Sequence, residues 1–145
     1  MIERHDSAIV TTFVRLVRPP AQLFALYVLV HGHYSPGGGF QAGVILAAVW
    51  IMGALALGRD HPGARVAERA WLAAGAGGVL LYLAAGAAGL ARGEAFLDYA
   101  GLSLGIGVVR ARYLGILIVE VGVAATVAAA LVVIFARLAD RPPAR

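Results

Sequence analysis

Three long apolar runs constrain the fold of this chain most, because each matches the thickness of a lipid bilayer. Residues 40–57 and 70–91 contain 18 and 22 residues without a charged side chain. Residues 113–136 form a run of 24 residues in which Glu120 is the one charged residue. A helix needs about 20 mostly apolar residues to cross the hydrocarbon core. Each of the three runs therefore predicts a transmembrane helix.

A fourth span is predicted near the N-terminus, over residues 8–30, although this stretch contains Arg15, Arg18 and a proline pair at 19–20. Ser7 suits the N-cap position of a helix. We expect a helix from about Ser7 that is disturbed near the prolines and whose two arginine side chains reach toward the headgroups. The alternative is an interfacial helix followed by a short span.

The composition excludes most soluble classes of protein. The chain has 145 residues, of which 61% are hydrophobic and 14% charged, and a soluble domain this small could not bury so much apolar surface. It contains no cysteine, which excludes disulfides and thiolate metal sites. All its basic residues are arginine, and the absence of lysine excludes a phosphate-binding loop lysine and a Schiff base. The net charge of +4 comes from arginines scattered between apolar runs, which is typical of membrane topology signals.

The distribution of arginine predicts that both termini lie in the cytoplasm. With that orientation, nine arginines lie in inner segments and three in outer loops, which agrees with the positive-inside rule. The inner set is Arg4, Arg15, Arg18, Arg59, Arg65, Arg69, Arg137, Arg141 and Arg145, and the outer set is Arg92, Arg110 and Arg112.

The predicted loops differ in character. Residues 60–63 predict a tight inner turn. In the third loop, residues 92–112, the stretch 101–108 alternates small and apolar residues, which predicts an extended or hairpin segment. On the third span, a stripe with a period of four predicts a close helix contact; its members are Ala74, Gly78, Tyr82 and Gly86.

The loop between the first two spans reads His-Gly-His-Tyr-Ser-Pro-Gly-Gly-Gly-Phe-Gln-Ala-Gly over residues 31–43. Pro36 followed by Gly37 suits a type II turn. The next helix is predicted from about Gly39, so its N–H groups and positive dipole end are directed into the loop. Two imidazoles, those of His31 and His33, are predicted at the membrane edge, where they could titrate near physiological pH.

This loop resembles that of the MnhB/MrpB subunits of multi-subunit Na⁺/H⁺ antiporters, whose signature is similar to His-Gly-His-x-Ser-Pro-Gly-Gly-Gly-Phe, with Tyr34 at x. A second resemblance lies in the last span. The family typically has Asp before Ile/Val-Gly-Val, whereas here Glu120 precedes Val-Gly-Val, and the small polar residue and proline that often come before it are absent. The length and the four spans also fit, so the resemblance covers nearly the whole chain as one MnhB-like membrane domain, residues 1–145.

The resemblance implies a small subunit of a sodium/proton antiporter in a prokaryotic cell (inner) membrane. Its partners would be larger subunits similar to the proton-pumping subunits of respiratory complex I, the transported ions Na⁺ and H⁺, and the lipid bilayer. No enzyme activity and no cofactor is expected of this chain. Related subunits occur in membrane-bound hydrogenases, so a membrane-arm subunit of such a complex I-like oxidoreductase is an alternative. A purely structural subunit that moves no ions is another.

The candidate site residues follow from these patterns. An ionised carboxylate inside a membrane is costly, so Glu120 is interpreted as an ion or proton relay site, or else as a structural hydrogen bond or ion pair to a neighbouring subunit. His31 and His33 either transfer protons or stabilise the turn through backbone carbonyls, and two histidines alone make a poor metal site. A contact with a partner subunit is predicted for the rest of the loop, namely Ser35, Pro36, Gly37, Gly38, Gly39 and Phe40.

Overall fold

The computed structural model describes residues 7–32, 37–58, 66–100 and 107–139. They contain four α-helices, each long and apolar enough to cross a membrane, so the predicted all-α membrane fold is confirmed. The helices are α1 (Ala8–His31), α2 (Gly39–Leu57), α3 (Glu68–Leu90) and α4 (Val108–Ala139). No strand occurs among the described residues. Which end of the bundle faces the cytoplasm stays a prediction, and the expected turn at 60–63 lies outside the described residues.

The first helix is continuous through its two prolines. Ser7 is the N-cap, as predicted, and its Oγ accepts a hydrogen bond from the N–H of Val10 at 3.5 Å. Pro19 and Pro20 lie inside the helix. Proline removes a backbone hydrogen bond, but membrane helices tolerate this loss because nearby groups and small adjustments compensate. The helix is therefore not divided into an interfacial segment and a short span.

The fourth helix lies at the centre of the arrangement. The backbone of α4 packs against both α2 and α3, while α1 packs mainly against α2 through Val14, which contacts a small cluster with Ala56 and Leu57. Between the described residues, the backbones of α1 and α3 make no contact, and neither do those of α2 and α3. The helices consequently form an open row in the order α1, α2, α4, α3, which leaves large faces of α1 and α3 exposed.

The contact between α3 and α4 is made by small residues. Gly78 is buried against Gly122 and Thr126, and the Cβ that an alanine would add at Gly122 would lie 2.7 Å from the carbonyl oxygen of Gly78. The predicted stripe is therefore right for Gly78 and half-buried Tyr82, which lie beside Gly122 of α4. It is wrong for Ala74, which is exposed, and for Gly86, which is buried against the ring of Phe96 and not against a helix. In a helix with 3.6 residues per turn, a step of four residues rotates by about 400°, which is about 40° more than a full turn. Residues spaced four apart therefore move gradually around the helix and do not stay on one face.

A hydroxyl group connects the same two helices. Oγ1 of Thr126 lies within hydrogen-bond distance of the carbonyl oxygen of Gly75 on α3, at 3.2 Å, and of the carbonyl oxygen of Gly122 on its own helix, at 2.8 Å.

Thr126→Val tests this contact, because valine keeps the shape of the side chain and removes the hydroxyl donor. Because interhelical hydrogen bonds in membranes contribute about 0.6 kcal/mol on average, we expect a loss of stability of roughly that size, measured by thermal unfolding in detergent. A loss above about 2 kcal/mol, the upper end known for such bonds, would contradict this assignment.

The fourth helix begins earlier than the apolar run predicts. It starts at Val108 rather than at residue 113 and therefore includes Arg110 and Arg112. Gly107 precedes it with φ +86°, a backbone conformation that glycine adopts without strain. The extended or hairpin segment predicted for residues 101–108 is thus wrong at Val108, and residues 101–106 lie outside the described part of the chain. Charged side chains near a helix end reach toward water, so they need not end a membrane helix.

The segment after α3 folds back over the ends of α3 and α4. The ring of Phe96 packs on Gly86 and meets Tyr82 edge to face, with ring centroids 6.1 Å apart. The ring of Tyr99 packs on Gly115 of α4. Burial raises the pKa of Tyr99 above its usual value, and neighbouring Tyr82 adds to the rise. These two aromatic residues cover the glycine surfaces at this end of the bundle.

The opposite end of the bundle is held by an aromatic cluster and an ion pair. Trp50 of α2 meets Trp71 of α3 and Phe135 of α4 edge to face, at centroid distances of 5.7 and 6.4 Å. Nε of Arg137 donates a hydrogen bond to Oε1 of Glu68 at 3.0 Å. The two tryptophans are thus packing contacts that connect helices whose backbones stay apart.

Candidate functional site

Glu120 lies far from both ends of the central helix. Twelve residues separate it from Val108 at the start of α4, or roughly 18 Å along the helix axis. It lies seventeen residues, or roughly 26 Å, from Arg137 near the other end. The apolar run alone places this carboxylate about 10 Å from the end of its helix. The earlier start of α4 shows that it lies deeper along the helix than that.

Three glycines of the α1–α2 connection surround the side chain and backbone of Glu120. A Cβ added at Gly32 would lie 2.6 Å from Oε1 of Glu120, and one added at Gly38 would lie 3.1 Å from the same atom. A Cβ at Gly39 would meet the backbone carbonyl oxygen of Glu120. Gly38 and Gly39 are buried, as is Oε2 of Glu120. We call Gly32, Gly38 and Gly39 the glycine cradle, because a side chain at Gly32 would overlap the Glu120 carboxylate, one at Gly38 would crowd it, and one at Gly39 would overlap the Glu120 backbone.

The start of α2 adds an electrostatic feature to this site. Its N-cap is Gly38, which has no side chain to accept from the first N–H groups of the helix. The first four N–H groups of any α-helix lack acceptors within the helix, and they carry the positive end of its dipole. Glu120 of α4 lies at this end. A helix N-terminus stabilises a negative charge, which partly offsets the cost of placing a carboxylate within a membrane.

At the level of the site, α1 ends and α2 begins, while α3 and α4 continue. Because Gly32 and Gly39 contact Glu120, α1 and α2 have their shared end beside the thirteenth residue of α4. The first twelve residues of α4, roughly 18 Å of helix, continue past this level together with the end of α3.

His31 is the last residue of α1 and has a local structural contact. Its Nδ1 lies 3.0 Å from the carbonyl oxygen of Tyr27, and its ring stacks on the Tyr27 ring with centroids 4.3 Å apart. The side chain is exposed. This contact matches the interpretation in which the histidine stabilises the helix end through a backbone carbonyl. The exposed ring also leaves it accessible from outside the chain.

The structure describes only part of the predicted loop contact. His33, Ser35 and Pro36 lie outside the described residues, so their predicted roles stay predictions. Gly37 is partly buried. Phe40 is 59% exposed at the first turn of α2 and therefore directs its ring away from the cradle.

Sequence reasoning missed two glycines that position the site. Gly32 belongs to the cradle, and Gly43 packs on α4, where an added Cβ would lie 2.7 Å from the carbonyl oxygen of Ala124. Gly39 and Gly43 are four residues apart, a spacing that is typical of close contacts between membrane helices. That spacing was the available signal for the α2–α4 contact. It does not identify which helix is the partner.

No set of three or more histidine, cysteine, aspartate or glutamate side chains that could hold a metal ion occurs within residues 7–32, 37–58, 66–100 and 107–139. The chemistry available at the described site is therefore that of one carboxylate at a helix N-terminus. Such a group can exchange a proton or attract a monovalent cation.

Comparison with known families supplies the biological setting. The profile of a domain related to the MnhB subunit of Na⁺/H⁺ antiporters matches residues 9–133. The matched region contains the glycine cradle, Glu120 and the greater part of all four helices. No curated protein matches the chain.

Proposed function

Because the chain belongs to the MnhB family of Na⁺/H⁺ antiporter subunits, we propose that it is a small subunit of a multi-subunit antiporter in the prokaryotic cell membrane, with both termini in the cytoplasm. In this proposal, Glu120 takes part in the path of the transported proton or cation. The observation that carries it is the position of the Glu120 carboxylate, which lies in the glycine cradle at the N-terminus of α2.

The open arrangement of helices supports a role within a complex. Four helices in a row do not enclose an ion path of their own. Among the described residues, Glu120 is the one carboxylate that lies in a membrane-spanning helix away from its ends. Large side chains are exposed along α1 and α3, for example Phe13 at 60% and Leu80 at 65%. Partner subunits similar to those of respiratory complex I would complete the path beside the cradle.

Glu120→Gln tests the role of the carboxylate, because glutamine keeps the shape and removes the charge. We expect the antiport rate of the assembled complex to fall at least about tenfold, equivalent to ~1.4 kcal/mol. Sodium-dependent proton movement in everted membrane vesicles, followed with a pH-sensitive dye over a range of pH and Na⁺ concentrations, measures the rate. Glu120→Asp should retain part of the activity, since aspartate keeps the carboxylate with a shorter reach.

The matched control is Glu68→Gln, which removes a carboxylate from the exposed ion pair with Arg137. Exposed pairs contribute little, about 0–1 kcal/mol, so antiport and assembly should remain close to wild type. A native gel of each complex shows whether it is assembled. Normal antiport by assembled Glu120→Gln complex under every condition would exclude the ion-path role.

A structural role for the same residue is the second candidate function, and the close fit of Glu120 in the cradle favours it. Here Glu120 positions the start of α2 against α4 through the shape of its side chain and moves no ion. This candidate predicts that joint neutralisation of Glu120, His31 and His33 leaves transport intact. Bulky residues at Gly37, Gly38 or Gly39 would instead prevent assembly.

The partners of the chain decide between an antiporter and a hydrogenase-type complex. A tagged chain extracted in mild detergent should co-purify with large antiporter-like membrane subunits, identified by mass spectrometry. Soluble subunits with iron–sulfur clusters in the same complex would instead identify it as a redox-driven, hydrogenase-type complex. Recovery of the chain alone from intact membranes would contradict the proposal that it is a subunit.

A further inference from the structure

The first helix carries a polar stripe that the proposed ion path does not use. The stripe consists of Thr11, Arg15, Arg18 and Gln22. Their spacing of four, three and four residues places them on one face of α1. Arg15 and Gln22 are exposed, Arg18 is partly buried and Thr11 is buried. No polar stripe of this length occurs in the described parts of α2, α3 and α4.

Arg18 lies at the edge of the face that α1 packs on α2. The residues of α1 buried by that contact are Thr11, Val14 and Ala25, and helical periodicity places Arg18 among them. Its Nε atom is buried and has no hydrogen-bond partner among the described residues. Arginine keeps its positive charge in proteins, and a buried charged donor without an acceptor is costly. An acceptor is therefore missing at this position.

No acidic residue in the described part of the chain supplies that acceptor. Glu68 is paired with Arg137 at the end of α3, whose backbone does not contact α1. Glu120 lies at the far end of α1, beside Gly32, which is fourteen residues or roughly 21 Å from Arg18 along the helix. The remaining two acids, Glu94 and Asp98, belong to the segment that folds over the same far end of the bundle.

We propose that Arg15 and Arg18 form a docking site for an aspartate or glutamate side chain on a membrane-embedded helix of a neighbouring subunit. The inference rests on the proposed function only in that the chain works within a complex. Charge complementarity identifies the partner, because two guanidinium groups on one helix face attract a carboxylate and form charge-assisted hydrogen bonds with it. The same positive charge repels Na⁺ and protons, so this stripe is separate from the ion path.

The depth of the stripe favours a protein carboxylate over a lipid phosphate. Arg18 lies eleven residues from the N-cap Ser7, or roughly 16 Å along the helix. That distance is about half the thickness of a hydrocarbon core of ~30 Å, so a carboxylate on a membrane-embedded helix reaches this level more readily than a headgroup phosphate does.

The double variant Arg15→Gln/Arg18→Gln tests the docking site in the full complex. We expect at least about tenfold less complex recovered through a tag on a partner subunit, equivalent to ~1.4 kcal/mol. The matched control is Arg69→Gln, which removes an exposed arginine from the first turn of α3 and should leave recovery unchanged. Recovery of the wild-type complex through the same tag tests whether the chain is a subunit at all. Failure of the docking site is therefore distinguishable from failure of the proposed function.

A second experiment separates loss of docking from loss of folding. A photoreactive amino acid at Gln22, which is exposed on the same stripe, should cross-link to a partner helix that contains an acidic residue. Arg18→Glu should then reduce recovery of the complex, and exchange of that acid for arginine should restore it. Failure of the exchange, cross-linking to phospholipid alone, or normal recovery of the double glutamine variant would each overturn the proposal.

Discussion

Gly39→Ala should prevent α2 from packing on α4 and greatly reduce the amount of folded chain. The added methyl group would meet the backbone carbonyl oxygen, carbonyl carbon and Cα of Glu120. Backbone atoms cannot rotate away as a side-chain tip can, so two helices must separate to admit it. Overpacking of a well-packed contact costs about 1–3 kcal/mol, and we expect this position to reach or exceed the upper value. Thermal unfolding of the purified chain in detergent measures the loss.

Gly77→Ala is the control for this prediction, because an added Cβ there has no neighbour within 4 Å. This variant makes the same chemical change within a membrane helix but creates no overlap, so the unfolding temperature of the chain should remain close to wild type. If Gly39→Ala unfolds at the wild-type temperature as well, then the cradle is not the close contact that the structure describes. The interpretation of Glu120 as a residue held by the connection would then be wrong.

Most of the fold could be predicted from the sequence, because the bilayer imposes a length on apolar runs. The second and third helices begin and end within two residues of the predicted runs. The prediction failed where polar residues continue a helix, as at Arg110 and Arg112 in the first turns of α4. An apolar run measures the part of a helix in hydrocarbon, whereas hydrogen bonding determines where the helix itself ends.

The candidate site could be predicted only as separate pieces. The glycine-rich connection and Glu120 were each recognisable, but their contact joins residues about eighty positions apart. That contact depends on which helix α2 packs against, and the period of small residues in α2 fits more than one partner. The distance of Glu120 from the start of its helix also differs from the predicted one, because α4 begins before the apolar run does. The tertiary arrangement therefore decides what the carboxylate faces.

Gly78→Ala should separate α3 from α4, the second large effect that the structure predicts. The added methyl group would meet the carbonyl oxygen of Gly122 and Oγ1 of Thr126, both on α4. Of these two obstacles only Oγ1 belongs to a side chain, so removing it by Thr126→Ala in the same chain should relieve the clash partly at most. We expect a loss of about 2–3 kcal/mol, within the range for overpacked contacts, by thermal unfolding in detergent.

The neighbouring Gly77→Ala provides a matched control one residue away on the same helix, with open space at its added Cβ. Equal unfolding temperatures for the two variants would show that the α3–α4 contact is looser than described. A selective loss for Gly78→Ala would instead confirm that α3 is held to α4 by direct backbone approach. Because the same α4 also carries Glu120, the variant should lower antiport as well, even though Gly78 packs on the side of α4 away from the cradle. Loss of stability with full antiport would contradict the central position of α4 in the site.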